Sequence, residues 1–116
     1  MVGIKRVYDP PAKDDGKRYL VDRIWPRGLA KEEAALDGWL KDVAPSAALR
    51  KWFNHEPGKW EEFKRRYREE LASPQLRPLI KKLREETRQE RVTLLFAAKD
   101  SARNNALCLR DFLVDG

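Results

Sequence analysis

The chain has 116 residues, 38% of them charged and 41% hydrophobic, which suits one domain with its own core and excludes a disordered chain or two independent cores. A single cysteine, Cys108, excludes an intramolecular disulfide and a cysteine-based zinc site, and so points to a reducing compartment. Lys and Arg outnumber Asp and Glu by 25 to 19, so the formal charge of +6 favours anionic partners.

In chain order, Ile4 to Tyr8 reads as a first strand stopped by Asp9-Pro10-Pro11, because proline removes a donor and restricts the residue before it. A turn follows around Asp14-Asp15-Gly16. Arg18 to Arg23 carries the β-favouring Tyr19-Leu20-Val21, which meets Asp22 and Arg23 where the chain leaves the sheet. Ile24 to Gly28 reads as a loop and Lys31 to Leu36 as a helix. Leu36 to Ala44 fits either a helix end or a short strand.

Pro45-Ser46 opens a helix with Ser46 as N-cap and Leu49, Trp52 and Phe53 on one face, ending at Asn54-His55. Pro57 suits the first turn of the next helix, whose stripe is Trp60, Phe63, Tyr67 and Leu71. Ser73-Pro74 opens another, with Leu76, Leu79, Ile80 and Leu83 inward. The continuous apolar run Val92 to Ala97 reads as a central strand buried on both faces. Ala98 to Ser101 is a polar loop, and Arg103 to Leu113 a final helix. Helices set between strands predict a single compact α/β domain, a small and at least partly parallel sheet covered by helices.

In open α/β sheets ligands bind beyond the carboxyl ends of the strands. Two predicted strands release polar clusters there: Asp22, Arg23, Trp25 and Arg27 after one, Lys99, Asp100, Asn104 and Asn105 after the other. Neighbouring parallel strands bring both to one cleft, with Asp22, Lys99 and Asp100 as catalytic candidates. Arg23 and Arg27 suit an anion, since guanidinium binds carboxylate or phosphate bidentately, and Trp25 suits a planar group. Asn104, Asn105 and His55 complete the expected binding set. Each also has a structural reading, Asp100 or Ser101 as a helix cap and His55 as a helix-junction residue.

His55 is the sole histidine, which excludes a two-histidine metal centre. The chain carries no Walker-type loop, dinucleotide glycine fingerprint, His-Glu metal motif or Gly-x-Ser-x-Gly elbow, so neither metal nor cofactor is expected. No apolar run nears the roughly 18 residues that span a bilayer and no signal-type stretch follows Met1, which makes the cytoplasm the expected location and excludes a membrane partner. The basic runs Glu61 to Arg66 and Lys81 to Glu86 interleave acids with cations, as solvated helix faces do.

Val21-Asp22-Arg23-Ile24-Trp25-Pro26-Arg27-Gly28, Trp39 to Ser46, Leu49 to His55 and Leu94 to Asp100 together resemble the YeaO-like family, a branch of the DUF 488 group of unknown function. The resemblance implies a compact α/β fold over nearly the whole chain and names no reaction. Other branches of the group look as though they carry cysteine motifs after the last strand. Here that position reads Ala98-Lys99-Asp100, without cysteine. The function expected is therefore a small metal-independent enzyme or binding domain for an anionic, nucleotide-like small molecule. The alternative is a basic module that associates with nucleic acid without catalysis.

Overall fold

A computed structural model describes residues 1–115. Its centre is a four-stranded, wholly parallel sheet of β1 (Val2–Arg6), β2 (Lys17–Leu20), β3 (Gly38–Trp39) and β4 (Val92–Phe96), in the order β1-β4-β2-β3. The helices are α1 (Lys31–Ala34), α2 (Ala47–Phe53), α3 (Trp60–Leu71), α4 (Arg77–Gln89) and α5 (Asn105–Asp115).

β4 lies between β1, in register from Val2 opposite Val92, and β2, in register from Lys17 opposite Val92. All five of its residues are buried, the physical reason its sequence is apolar but for Thr93, whose hydroxyl donates to the Asp15 carbonyl at 2.7 Å. Successive side chains go to opposite faces. Val92, Leu94 and Phe96 join the large core formed with α2 to α5, including Phe63, Tyr67, Leu83 and Leu109. Leu95 meets a smaller cluster of Val7, Leu20 and Ala34, covered by Trp25 and Trp39. Helices therefore cover one face, and the segment from Val7 to Leu36 covers the other.

Beneath that second face lies a buried ion group. Arg18 donates to Asp15 Oδ2 at 2.5 Å and to the Ala34 carbonyl at 2.8 Å, while Lys5 Nζ stands 3.2 Å from Asp15. Desolvation pushes the Asp15 carboxyl up, but the Ala12 N–H, Lys5 and Arg18 outweigh it and hold the group below its usual range. Gly16, at φ 66°, turns the chain into β2 against β4's entry; a Cβ there would collide with the Arg91 carbonyl.

Several boundaries differ from the sequence reading. β1 spans Val2–Arg6, earlier than Ile4 to Tyr8, because the Asp9 N–H bonds back to the Arg6 carbonyl and closes a turn there, while the Arg6 guanidinium donates to the Ala97 and Ala98 carbonyls. The segment 36–44 is a two-residue edge strand and a 3₁₀ turn at Lys41–Val43, pinned by Asp37, whose carboxylate and N–H both bond Arg18's backbone. α1 is a single turn closed by Ala35 at φ 48°. α4 starts at Arg77, since Ser73 to Leu76 form a separate turn. α5 starts at Asn105, because Asn104 caps it by accepting the Leu107 N–H at 2.9 Å. Ser46 caps α2 as expected, accepting from Leu49 N, while its own hydroxyl donates to Glu70 at 2.6 Å.

Candidate functional site

β2 and β4 end side by side, and their carboxyl ends open into a cleft of about 480 Å³. Asp22 sits at its base. The half-buried carboxylate accepts the Ala97 N–H at 2.9 Å, tying the exit of β2 to the exit of β4. Desolvation raises the Asp22 pKa above its ordinary 3.8; the Ala97 amide, the Asn105 amide and the Arg50 charge oppose this without cancelling it. A second strut crosses the same junction, from Asn105 Nδ2 to the Val21 carbonyl at 2.8 Å.

Arginines dominate the walls. Arg23 is half-buried and makes only long contacts, 3.3 Å to the Pro45 carbonyl and 3.4 Å to that of Ala44. Arg27 and Arg50 line the cleft with exposed side chains. Among the described residues none of these three has a carboxylate within 4.0 Å, whereas Arg103, also in the lining, is paired with Asp100 at 3.1 Å. Trp25, Phe53 and Phe63 supply apolar surface. Trp25 is held by an indole bond to the Leu29 carbonyl at 2.7 Å and by an edge contact with Trp39, 5.2 Å between centroids.

Of the residues singled out from sequence, Asp22, Arg23, Trp25, Arg27, His55, Asn104 and Asn105 line this cleft. Lys99 and Asp100 do not. Lys99 is exposed on the loop after β4. The Asp100 carboxylate accepts the Ala102 and Arg103 N–H groups, and those bonds with the Arg103 guanidinium hold its pKa below the usual carboxylate range. Asp100 thus caps its own turn. Asn104 is committed at both ends, as cap of α5 and as donor to the Asp100 carbonyl at 3.1 Å. His55 ends α2 in the left-handed region at φ 56°, directly after Asn54 at φ 47°, and its ring lies 6.2 Å from Phe53 at the cleft edge.

Two more residues line the cleft: Tyr8, for which the sequence carries no site signal, and Arg50, which sequence places only as a candidate for a basic nucleic-acid face with Arg23, Arg27 and Lys51. Arg50 is exposed on α2 and reads from sequence as a solvated helix residue; in the fold Leu49 and Phe53 seat α2 on the core, and Arg50 lines the cleft beyond β2. Tyr8 was assigned to a strand, yet it lies beyond β1 and donates its hydroxyl to the Arg27 carbonyl at 2.8 Å. Cys108 is buried in the core, where desolvation pushes its thiol up to about 12.

A parallel α/β sheet with an arginine-walled cleft at its carboxyl edge defines the class. The chain belongs to the family described as the inactive DUF488-N3 subclade, whose profile matches residues 1–116. It is 44% identical over 109 residues to the "Uncharacterized protein YeaO" of Escherichia coli (strain K12), covering 94% of this chain and 93% of that protein. The "Uncharacterized protein Rv3073c" of Mycobacterium tuberculosis (strain ATCC 25618 / H37Rv) and "Uncharacterized protein Mb3100c" of Mycobacterium bovis are each 42% identical over 112 residues, 97% of this chain and 92% of theirs. No solved structure matches. No helix among the described residues is long and apolar enough to cross a membrane.

Proposed function

We propose that the cleft binds a small anionic molecule with a planar portion, such as a nucleotide, and holds it without turning it over. The observation that carries this reading is the charge imbalance of the site: Arg23, Arg27 and Arg50 lack carboxylate partners among the described residues, against the one carboxylate of Asp22 in the lining. Guanidinium groups in a concave, partly desolvated site are suited to phosphate or carboxylate, and Trp25 with Phe53 offers faces for a flat ring. Binding without chemistry draws support from three further points. The family is described as inactive. Besides Asp22 and the arginines, the only acid or base side chains in the lining among the described residues are exposed His55 and Tyr8, whose hydroxyl is taken by the Arg27 carbonyl, since Lys99 and Asp100 lie outside. The chain's one thiol is buried in the core.

Isothermal titration calorimetry with adenosine monophosphate, adenosine and inorganic phosphate tests it. The monophosphate is expected to bind more tightly than either fragment, and Arg23→Ala or Arg50→Ala to weaken it about tenfold, the loss of one charge-assisted contact. Equal affinity for adenosine and its monophosphate, or unchanged binding in both variants, refutes the assignment. Consumption of the nucleotide during the titration, followed by chromatography, refutes the claim of binding without turnover.

A further inference from the structure

α3 and α4 have similar compositions, yet they dispose of their charge differently. On α3, Lys64, Arg65 and Arg66 are all neutralised locally, by Glu61, Glu62 and Glu69 at 2.5 to 3.1 Å. On α4, Arg77, Lys81, Arg84 and Arg88 recur at intervals of four, three and four residues, so they form one row along one face. At 1.5 Å per residue the row is roughly 16 Å long. Among the described residues none of the four has a carboxylate within 4.0 Å. Of the acids on α4, Glu86 is taken by the Tyr19 hydroxyl at 2.6 Å, and Glu85 alone borders the row.

The four cations line a groove of about 500 Å³ between α4 and the end of α5, sharing no residue with the cleft at the strand ends. Its apolar floor includes Leu71, Ile80 and Phe112. Arg84 anchors the groove, donating to the Phe112 carbonyl at 2.8 Å while its guanidinium lies 5.0 Å from the Phe112 ring. Arg77, Lys81 and Arg88 are exposed and make no side-chain bond among the described residues, which leaves their charge for a partner.

We propose that this groove binds the phosphodiester backbone of a nucleic acid. A row of separated cations matches a chain of charges better than one small anion. In helical geometry a strand presents a phosphate about every 3.4 Å of axial rise, so a row of this length spans several phosphates, and its exposed cations Arg77, Lys81 and Arg88 are set to meet them. A lipid surface fits poorly. Ile80 and Leu83 are buried and Leu76 and Leu79 pack on the core, so α4 keeps no apolar face for acyl chains.

The test is fluorescence anisotropy with labelled 20-nucleotide single-stranded RNA, and DNA of the same sequence, titrated from 25 to 200 mM salt. The proteins compared are the full chain, the Arg77→Ala/Lys81→Ala/Arg88→Ala variant, and the Lys64→Ala/Arg65→Ala/Arg66→Ala variant, which removes equal charge from the self-neutralised helix. Arg65, Arg66, Arg77, Lys81 and Arg88 are exposed and Lys64 and Arg23 half-buried, and circular dichroism verifies the fold of each variant. The α4 variant is expected to bind roughly tenfold or more weakly and to flatten the log–log salt slope by about 2, at about 0.7 per lost phosphate contact. The α3 variant and Arg23→Ala stay near the wild type. Binding to RNA, to DNA or to both supports the groove, the difference reporting on contacts beyond the shared phosphodiester. Three results overturn it: no binding at 25 mM salt, equal loss in the two triple variants, or binding to phosphatidylserine vesicles with none to either oligonucleotide. Because Arg23→Ala lies outside the groove, failure here is separable from failure of the cleft reading.

Discussion

Replacing Asp22 tests how the base of the cleft is held. In Asp22→Asn the amide oxygen still accepts the Ala97 N–H, now as a neutral bond of about 0.5–1.5 kcal/mol in place of a charge-assisted one of about 1.5–3. That loss, roughly 1 kcal/mol, is offset by removing a carboxylate whose desolvation is the largest influence on it. Asp22→Asn is therefore expected within about 1 kcal/mol of the wild type at pH 7. Asp22→Ala leaves the Ala97 N–H without its partner, which costs about 1–3 kcal/mol and lowers Tm by roughly 5–15 °C.

The same group carries a pH signature. Its native pKa is raised above 3.8, so the folded state favours the protonated acid. That contribution is fully present below 3.8 and is lost as pH rises through the raised native value. On acidification from pH 7, the wild type should therefore gain stability relative to Asp22→Asn. Urea denaturation followed by circular dichroism at several pH values between 4 and 7 measures the difference. If the wild type instead loses stability relative to Asp22→Asn as pH falls, or if the Ala and Asn variants are equally stable at pH 7, the account of this carboxylate is wrong.

One further substitution and one chemical reaction probe the surroundings. Arg18→Ala strips the guanidinium from the buried Asp15 and from the Ala34 and Ala35 carbonyls, and is expected to cost about 3–5 kcal/mol in urea denaturation; a loss under 1 kcal/mol contradicts the buried ion group as a fold determinant. Cys108, buried and with its thiol pushed up to about 12, should resist Ellman's reagent at pH 8 in the native protein and react fully in denaturant; rapid native reaction would contradict its place in the core.

Sequence alone determined the α/β class, because hydrophobic runs and helical stripes report burial directly. Val92 to Phe96 must be central since every position but Thr93 is apolar, and Trp60, Phe63, Tyr67 and Leu71 must face a core since they share one side of a helix. The polar clusters after β2 and β4 were also legible, as groups that a strand end delivers. Which of them converge was decided by tertiary structure. The loop after β4 is short enough that Asp100 satisfies the Ala102 and Arg103 amides of its own turn, leaving Lys99 in solvent, while Asn104 and Asn105, four and five residues on, reach the cleft. Arg50 lines the cleft because Leu49 and Phe53 on the other face of α2 pack into the core, against Phe63 and its neighbours on a helix remote in sequence from β2. Likewise α3 and α4 read alike as charged helices, and only the positions of their carboxylates separate a self-neutralised face from one that leaves its charge outward. Local pattern encodes which side of an element is buried; the partner that meets it depends on contacts between segments far apart in the chain, and no local pattern carries that information.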